Sequence, residues 1–161
     1  MPYEGTNVTV GKTQEQIKTL LGKNKVTVVR FTSFPAFALL EFARKVDTGA
    51  LIPYQVRLIP KGSGGTIAGL ERAERQVWRV CYWWLKAKFE AINFGLVEFE
   101  QEMLPYMLIQ GSDGQSEPMA KVFFEHLAGK LAAPVDPFGG MRPALPSGTE
   151  PRIASMEVAP C

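Results

Sequence analysis

The chain is predicted to fold as an α+β domain, with an antiparallel sheet of three to four strands packed against one long helix. Three observations carry this expectation. Residues 26–59 contain three segments rich in β-branched and aromatic residues, separated by turn residues, as in a strand meander. The third of these alternates, with Tyr54, Val56 and Leu58 on one side and Gln55 and Arg57 on the other, which marks a half-buried antiparallel strand. Residues 70–94 instead repeat with helical periodicity.

The bulk composition agrees. A chain of 161 residues accommodates one domain and a tail. Its 46% hydrophobic and 21% charged content is ordinary for a globular protein. No run reaches the roughly 18 apolar residues of a membrane span, so no membrane partner is expected. The opening MPYEGTNVTV lacks the basic-then-apolar pattern of a signal peptide. Cys81 and Cys161 make no disulfide framework, and a reducing, cytoplasmic setting is the simplest expectation. His126 is the single histidine, so no zinc-type spacing exists and no cofactor is implied. The net charge of +2 points to no polyanionic partner by itself; that case rests on how the charge is distributed.

The elements follow in order. Residues 7–10 read as a short strand. Thr13 reads as a helix N-cap, with Gln16 completing a capping box. The helix would carry Ile17, Leu20 and Leu21 on one face and stop at Gly22. Strands are expected at residues 26–31, 37–43 and 54–59, with Pro35 and the Asp47-Thr48-Gly49 turn between them and Pro60 ending the third. Residues 61–66 (KGSGGT) form a loop into the long helix, and Gly95 ends that helix. Residues 97–103 suggest a short acidic helix, residues 106–110 a fourth strand, and residues 118–132 a helix with Pro118 in its first turn, the last two making a C-terminal strand–helix appendage to the helix–three strands–helix order. That helix would set Val122, Phe123, Leu127 and Leu131 on its apolar side. The domain would thus span 1–132. From 133 to 161 prolines recur with few apolar residues between them, a composition too poor in burial to offset ordering entropy and read as a tail.

The long helix has two chemistries. At about 100° per residue, Arg72, Arg75, Arg79, Trp83 and Lys86 fall within roughly 80° of one another. Leu70, Val77, Cys81, Trp84, Leu85 and Ile92 form the opposite face, expected to be buried. Arginines on a rigid helix can meet phosphate oxygens bidentately, and an exposed indole can stack on an unpaired base. Those five residues are the candidate nucleic-acid site, for single strands more than duplex. Glu71, Glu74 and Glu90 dilute the stripe. Lys23, Lys25, Arg30, Arg44, Lys45, Arg57 and Lys61 would extend it if several shared the uncovered side of the sheet. A homo-oligomer burying Tyr82-Trp83-Trp84 between copies is the other arrangement these aromatics allow.

Further constellations are weaker. Gly11-Lys12-Thr13 lacks the earlier glycine of a phosphate-binding loop, since Thr6 stands there. Lys88 projects with the buried face, so it must be paired or must snorkel; Glu41 is the partner that strand alternation offers. Glu90, Glu98, Glu100 and Glu102 could hold a metal only if they converge. No catalytic or metal-ligating set emerges, and His126 reads as a structural or surface histidine.

Arg75-Gln76-Val77-Trp78-Arg79, then Lys86-Ala87-Lys88-Phe89-Glu90-Ala91, Gly95, Phe99-Glu100 with Glu102, and Leu104-Pro105-Tyr106 together resemble a segment of short uncharacterised proteins encoded in phage and prophage genomes. The helix opening Thr13-Gln14-Glu15-Gln16-Ile17 and closing Leu20-Leu21 is similar too, so the resemblance covers residues 6–110. It implies a viral or mobile-element origin and a host-cytoplasmic location; many short genes of that kind serve DNA metabolism or counter host defence. The helix–three strands–helix order also resembles a double-stranded-RNA-binding domain in topology. That family's lysine cluster is replaced here by Leu70-Glu71-Arg72-Ala73-Glu74, and no residue is carried over from it. The expected function is a non-enzymatic nucleic-acid-binding accessory protein. The alternatives are a protein-interaction module (an inhibitor, assembly factor or virion component) and a metal-dependent enzyme using the glutamates.

Overall fold

A computed structural model describes residues 3, 5–61, 65–110 and 114–127. Its first helix, α1 (Val10–Lys23), starts earlier than the sequence suggests, and no strand forms at residues 7–10. The cap is Thr9, whose hydroxyl accepts from the Lys12 N–H at 3.3 Å. Thr13 lies one turn inside the helix, fully buried, and its hydroxyl donates back to the Thr9 carbonyl at 3.2 Å. Both threonines suit an N-cap by residue type. The buried line Thr13, Ile17 and Leu21 decides between them, because it requires Thr13 within the helical repeat. Gly22 does not stop the helix; Asn24 caps it, and Lys25 turns the chain with a φ of 63°.

Three strands follow, β1 (Val26–Ser33), β2 (Ala38–Lys45) and β3 (Leu51–Leu58). They form an antiparallel sheet in the order β1-β2-β3. Ala38, Leu40 and Phe42 of β2 lie opposite Leu58, Val56 and Tyr54 of β3, and all six are buried. The period-2 rule then sends Leu39, Glu41, Ala43, Gln55 and Arg57 to the outer face.

The long helix, α2, runs Ile67–Asn93. Thr66 caps it by accepting from the Gly69 N–H at 3.1 Å, which places its start three residues before the expected Leu70. Its buried line is Ala73, Trp78, Cys81, Leu85 and Phe89. The expected face spans Trp84 to Leu85 about Cys81; the observed one is rotated toward Trp78 and Phe89, leaving Val77, Trp84 and Ile92 half-buried and Leu70 46% exposed. The rotation follows from where α2 lies. It packs beside α1 as well as over the sheet, so Trp78, Ile17, Leu21, Leu40 and Phe42 share one cluster. The Trp78 ring meets Phe31 edge-on at 5.5 Å. One sheet face thus carries two helices.

Gly95 follows α2 with a φ of 74°, a left-handed position suited to glycine. Then α3 (Phe99–Met103) buries Phe99 and Met103, with the Phe99 ring against Tyr54 and Phe89, followed by a 3₁₀ turn, Leu104–Tyr106. The strand expected at residues 106–110 is shorter, and it lies outside the main sheet, in the expected C-terminal strand–helix appendage. β4 (Leu108–Gln110) pairs with β5 (Ser116–Pro118) in a separate two-stranded ribbon. A single bridge, Tyr54 to Met107, joins this region to the edge of β3. Pro118 therefore ends a strand, and α4 begins at Met119 and runs Met119–Leu127. Phe123 is 57% exposed rather than buried on that helix. Residues 128–132 of the expected helix, Leu131 among them, and the whole of 133–161 lie outside the described residues, as does the side chain of Leu127.

Candidate nucleic-acid interface

The five candidate residues all lie on α2, and the fold treats them differently. Trp83 is 37% exposed and sits among cations and rings. Lys86 Nζ stands 4.9 Å and the Arg79 guanidinium 5.4 Å from its ring centre. Tyr3 lies parallel to it at 6.5 Å and Tyr82 edge-on at 5.3 Å. Arg79 leans away from solvent toward α1, donating to the Gln16 side-chain oxygen at 2.6 Å, while its charge rests 4.9 Å from the Tyr82 ring centre. Lys86 reaches Glu90 at 3.7 Å. Arg75 reaches Glu71 only at 4.0 Å, and its Nε is buried without a hydrogen-bond partner among the described residues. Arg72 is exposed and forms no ion pair among the described residues. The expected outward stripe is therefore two cations, Arg79 and Lys86, gathered beside one indole, with Arg72 and Arg75 a turn or more toward the N-terminus.

The stripe continues across to α1, which periodicity within α2 could not reveal. A groove of about 310 Å³ between the helices is lined by Lys12, Gln16, Thr19, Lys23 and Tyr82, with Glu15 as its one acid. Lys12 and Lys23 thus share a groove with Tyr82 from a segment some sixty residues away in sequence. The only sequence signal is that both fall beside the buried line of an amphipathic first helix. Gly11-Lys12-Thr13 belongs to the first turns of α1 rather than preceding it.

The sheet does not add a second basic surface. Arg30 and Arg57 do lie on its uncovered side, but Arg30 Nε donates to Glu41 at 2.7 Å and the Arg57 guanidinium rests 4.1 Å from the Phe37 ring centre. Glu41 also accepts from Gln55 at 3.2 Å. The hydrogen bond from Arg30 outweighs desolvation and holds the Glu41 carboxyl below its ordinary pKa. Arg44 points to the helix side, paired with Glu100 at 2.5 Å and lying 4.2 Å from the Phe99 ring centre.

Glu41 is accordingly not the partner of Lys88. Lys88 pairs with Glu102 of α3 and lies near the rings of Trp84 and Tyr106, at 5.0 and 5.8 Å. Half-buried, it is neutralised from the C-terminal side of α2 rather than from the sheet. The glutamates considered for a metal are spread over separate tasks. Glu90 pairs with Lys86, Glu100 with Arg44 and Glu102 with Lys88, while Glu98 and Gln101 close a capping box on α3. No group of three His, Cys, Asp or Glu side chains converges among the described residues. The side chain of His126 and the whole of Cys161 lie outside the described residues. Burial pushes the Cys81 thiol up to about 12. Among the described residues no helix is long and apolar enough to cross a membrane.

Comparison with known proteins matched no family model, no curated protein and no solved structure.

Proposed function

We propose that the chain is a non-enzymatic accessory protein that binds single-stranded nucleic acid on the outer face of α1 and α2. The observation that carries this reading is the half-open Trp83 indole with Arg79 and Lys86 beside it. A flat apolar surface ringed by positive charge matches an unpaired base and its phosphates, and base–aromatic stacking contributes roughly 1–3 kcal/mol. A duplex hides its base faces, so an indole offered this way favours single strands. Arg72 and Arg75 would meet phosphates further along the strand, without base recognition. The resemblance to phage-encoded proteins suits such a role in the nucleic-acid metabolism of a mobile element.

Titration of tryptophan fluorescence with single-stranded DNA and RNA oligonucleotides tests the proposal. Trp83→Ala should weaken binding by about 1–3 kcal/mol, more than tenfold at mid-range. Arg79→Ala with Lys86→Ala should also flatten the salt dependence, by about one unit of slope for each phosphate no longer neutralised. Absence of affinity at low salt, or affinity indifferent to these substitutions, would overturn it.

A second reading, a protein-interaction module, draws on a different observation. Phe94 and Leu96 just beyond α2 are 84% and 81% exposed, and Phe123 and Phe124 of α4 are 57% and 66% exposed. Apolar contact through those residues would be nearly insensitive to salt, which separates the two readings in the same titration.

A further inference from the structure

A cleft of about 320 Å³ opens where the β1–β2 connection meets the start of α2. It lies away from the aromatic patch, since Leu70 and Trp83 are about 20 Å apart along the helix axis at 1.5 Å per residue, although Arg72 and Arg75 stand beside its two glutamates on the same helix. Its walls are apolar: Phe34 is 45%, Ile67 79% and Leu70 46% exposed, with Pro35 and Pro60 beside them. The cleft is also built. The Phe34 N–H donates to the Phe37 carbonyl at 2.8 Å, and the two rings stack at 4.6 Å. Ser33 Oγ donates to Glu74 at 3.0 Å, tying β1 to α2 beside the opening. The titratable groups lining it are two acids, Glu71 and Glu74. Nearby, Arg57 is engaged on the Phe37 ring and Arg75 approaches Glu71 only at 4.0 Å.

An occupant suited to these walls is extended and apolar, needs few backbone partners, and carries a cation for the glutamates. Proline-rich peptides meet that description: they hold an extended helix with little entropy to lose and dock on grooves lined by aromatic residues. The chain itself contains such a stretch, Arg142-Pro143-Ala144-Leu145-Pro146, with two prolines three apart, apolar residues between them and an arginine in front. Its reach is sufficient. The fifteen residues from Leu127 to Arg142 can span about 50 Å, against about 36 Å across a domain of this size. We propose that the cleft is the docking site for residues 142–146 of the same chain, with Arg142 set against Glu71 and Glu74 and the prolines against Phe34, Ile67 and Leu70. The proposal stands independently of nucleic-acid binding.

Paramagnetic broadening in the full-length chain tests it. A spin label is placed at Ser147→Cys in a Cys161→Ser background, leaving the buried Cys81 unlabelled. The backbone amides of Phe34, Phe37, Ile67 and Leu70 should lose most of their intensity. Arg142→Glu should restore it, and so should Glu71→Lys. Combining Arg142→Glu with Glu71→Lys should bring the broadening back. Sharp amides in the labelled chain overturn the proposal. So does broadening that survives Arg142→Glu together with Pro143→Ala and Pro146→Ala. A mixture of isotope-labelled chain with spin-labelled, isotope-free chain supplies the last arm: broadening there as strong as within one chain assigns the cleft to a second copy and equally overturns docking in the same chain.

Discussion

Lys88 shows how a single residue's fate is settled by its neighbours. Periodicity places it on the buried side of the helix, where a cation needs a partner. The strand pattern offers Glu41, but alternation turns that carboxylate to the outer face, where Arg30 and Gln55 occupy it. Glu102 arrives instead from α3, brought round by the turn at Gly95. Cys81 illustrates the opposite case, an apolar position legible in the sequence. The residue is 2% exposed, and burial raises its thiol pKa from 9.0 to about 12. Between those values the unfolded thiol releases a proton that the native thiol keeps, so the native state binds more protons and stability falls as pH rises. In a Cys161→Ser chain, Ellman's reagent should leave Cys81 unmodified at pH 8 and react fully in denaturant. The unfolding midpoint should drop from pH 9 upward, and by less in Cys81→Ala.

Elements are more legible than their ends. All three strands of the sheet, both helices flanking them and the short acidic helix can be read from sequence, because each has a periodicity of its own. The start of α1 cannot, because two threonines four apart both suit a cap. Thr9 is used, since Thr13 is needed inside the helix to extend the line of Ile17 and Leu21. The two residues should respond differently to substitution. Thr9→Ala leaves an amide without its partner and should cost about 1 kcal/mol in urea unfolding. Thr13→Val keeps the buried shape, and the Thr9 carbonyl still accepts from the residue 13 N–H at 3.1 Å. Removing that hydroxyl strands no polar atom and should be nearly neutral. The reverse order of effects would restore Thr13 as the cap. For α2 the buried face turns by about one side chain relative to expectation, because it meets α1 as well as the sheet.

Over the whole molecule the decisive feature is that both helices share one face of the sheet. This joins α1 lysines to α2 aromatics and leaves the other sheet face to the network of Arg30, Glu41 and Gln55. It also makes β4, β5 and α4 an appendage, joined to the main sheet by the backbone bridge between Tyr54 and Met107 and carrying exposed Phe123 and Phe124. Segments with little buried apolar contact open at lower free energy than the core around them. Amide hydrogen exchange should therefore show residues 108–127 exchanging well before the amides of β2 and the middle of α2. Equal protection throughout would mean that the appendage and the sheet unfold as one unit.

Sequence by itself determined the fold class, the strand meander, the existence of the two main helices and the presence of cations beside Trp83. These follow from local repeats, which constrain each segment before it meets any other. Tertiary structure alone decided that Arg79 is held by Gln16 as well as by the rings of α2, and that Lys12 and Lys23 of α1 share a groove with Tyr82. It also settled the main sheet at three strands, by pairing the appendage strand β4 with β5. Such outcomes depend on contacts between segments tens of residues apart, and periodicity within one segment carries no information about them.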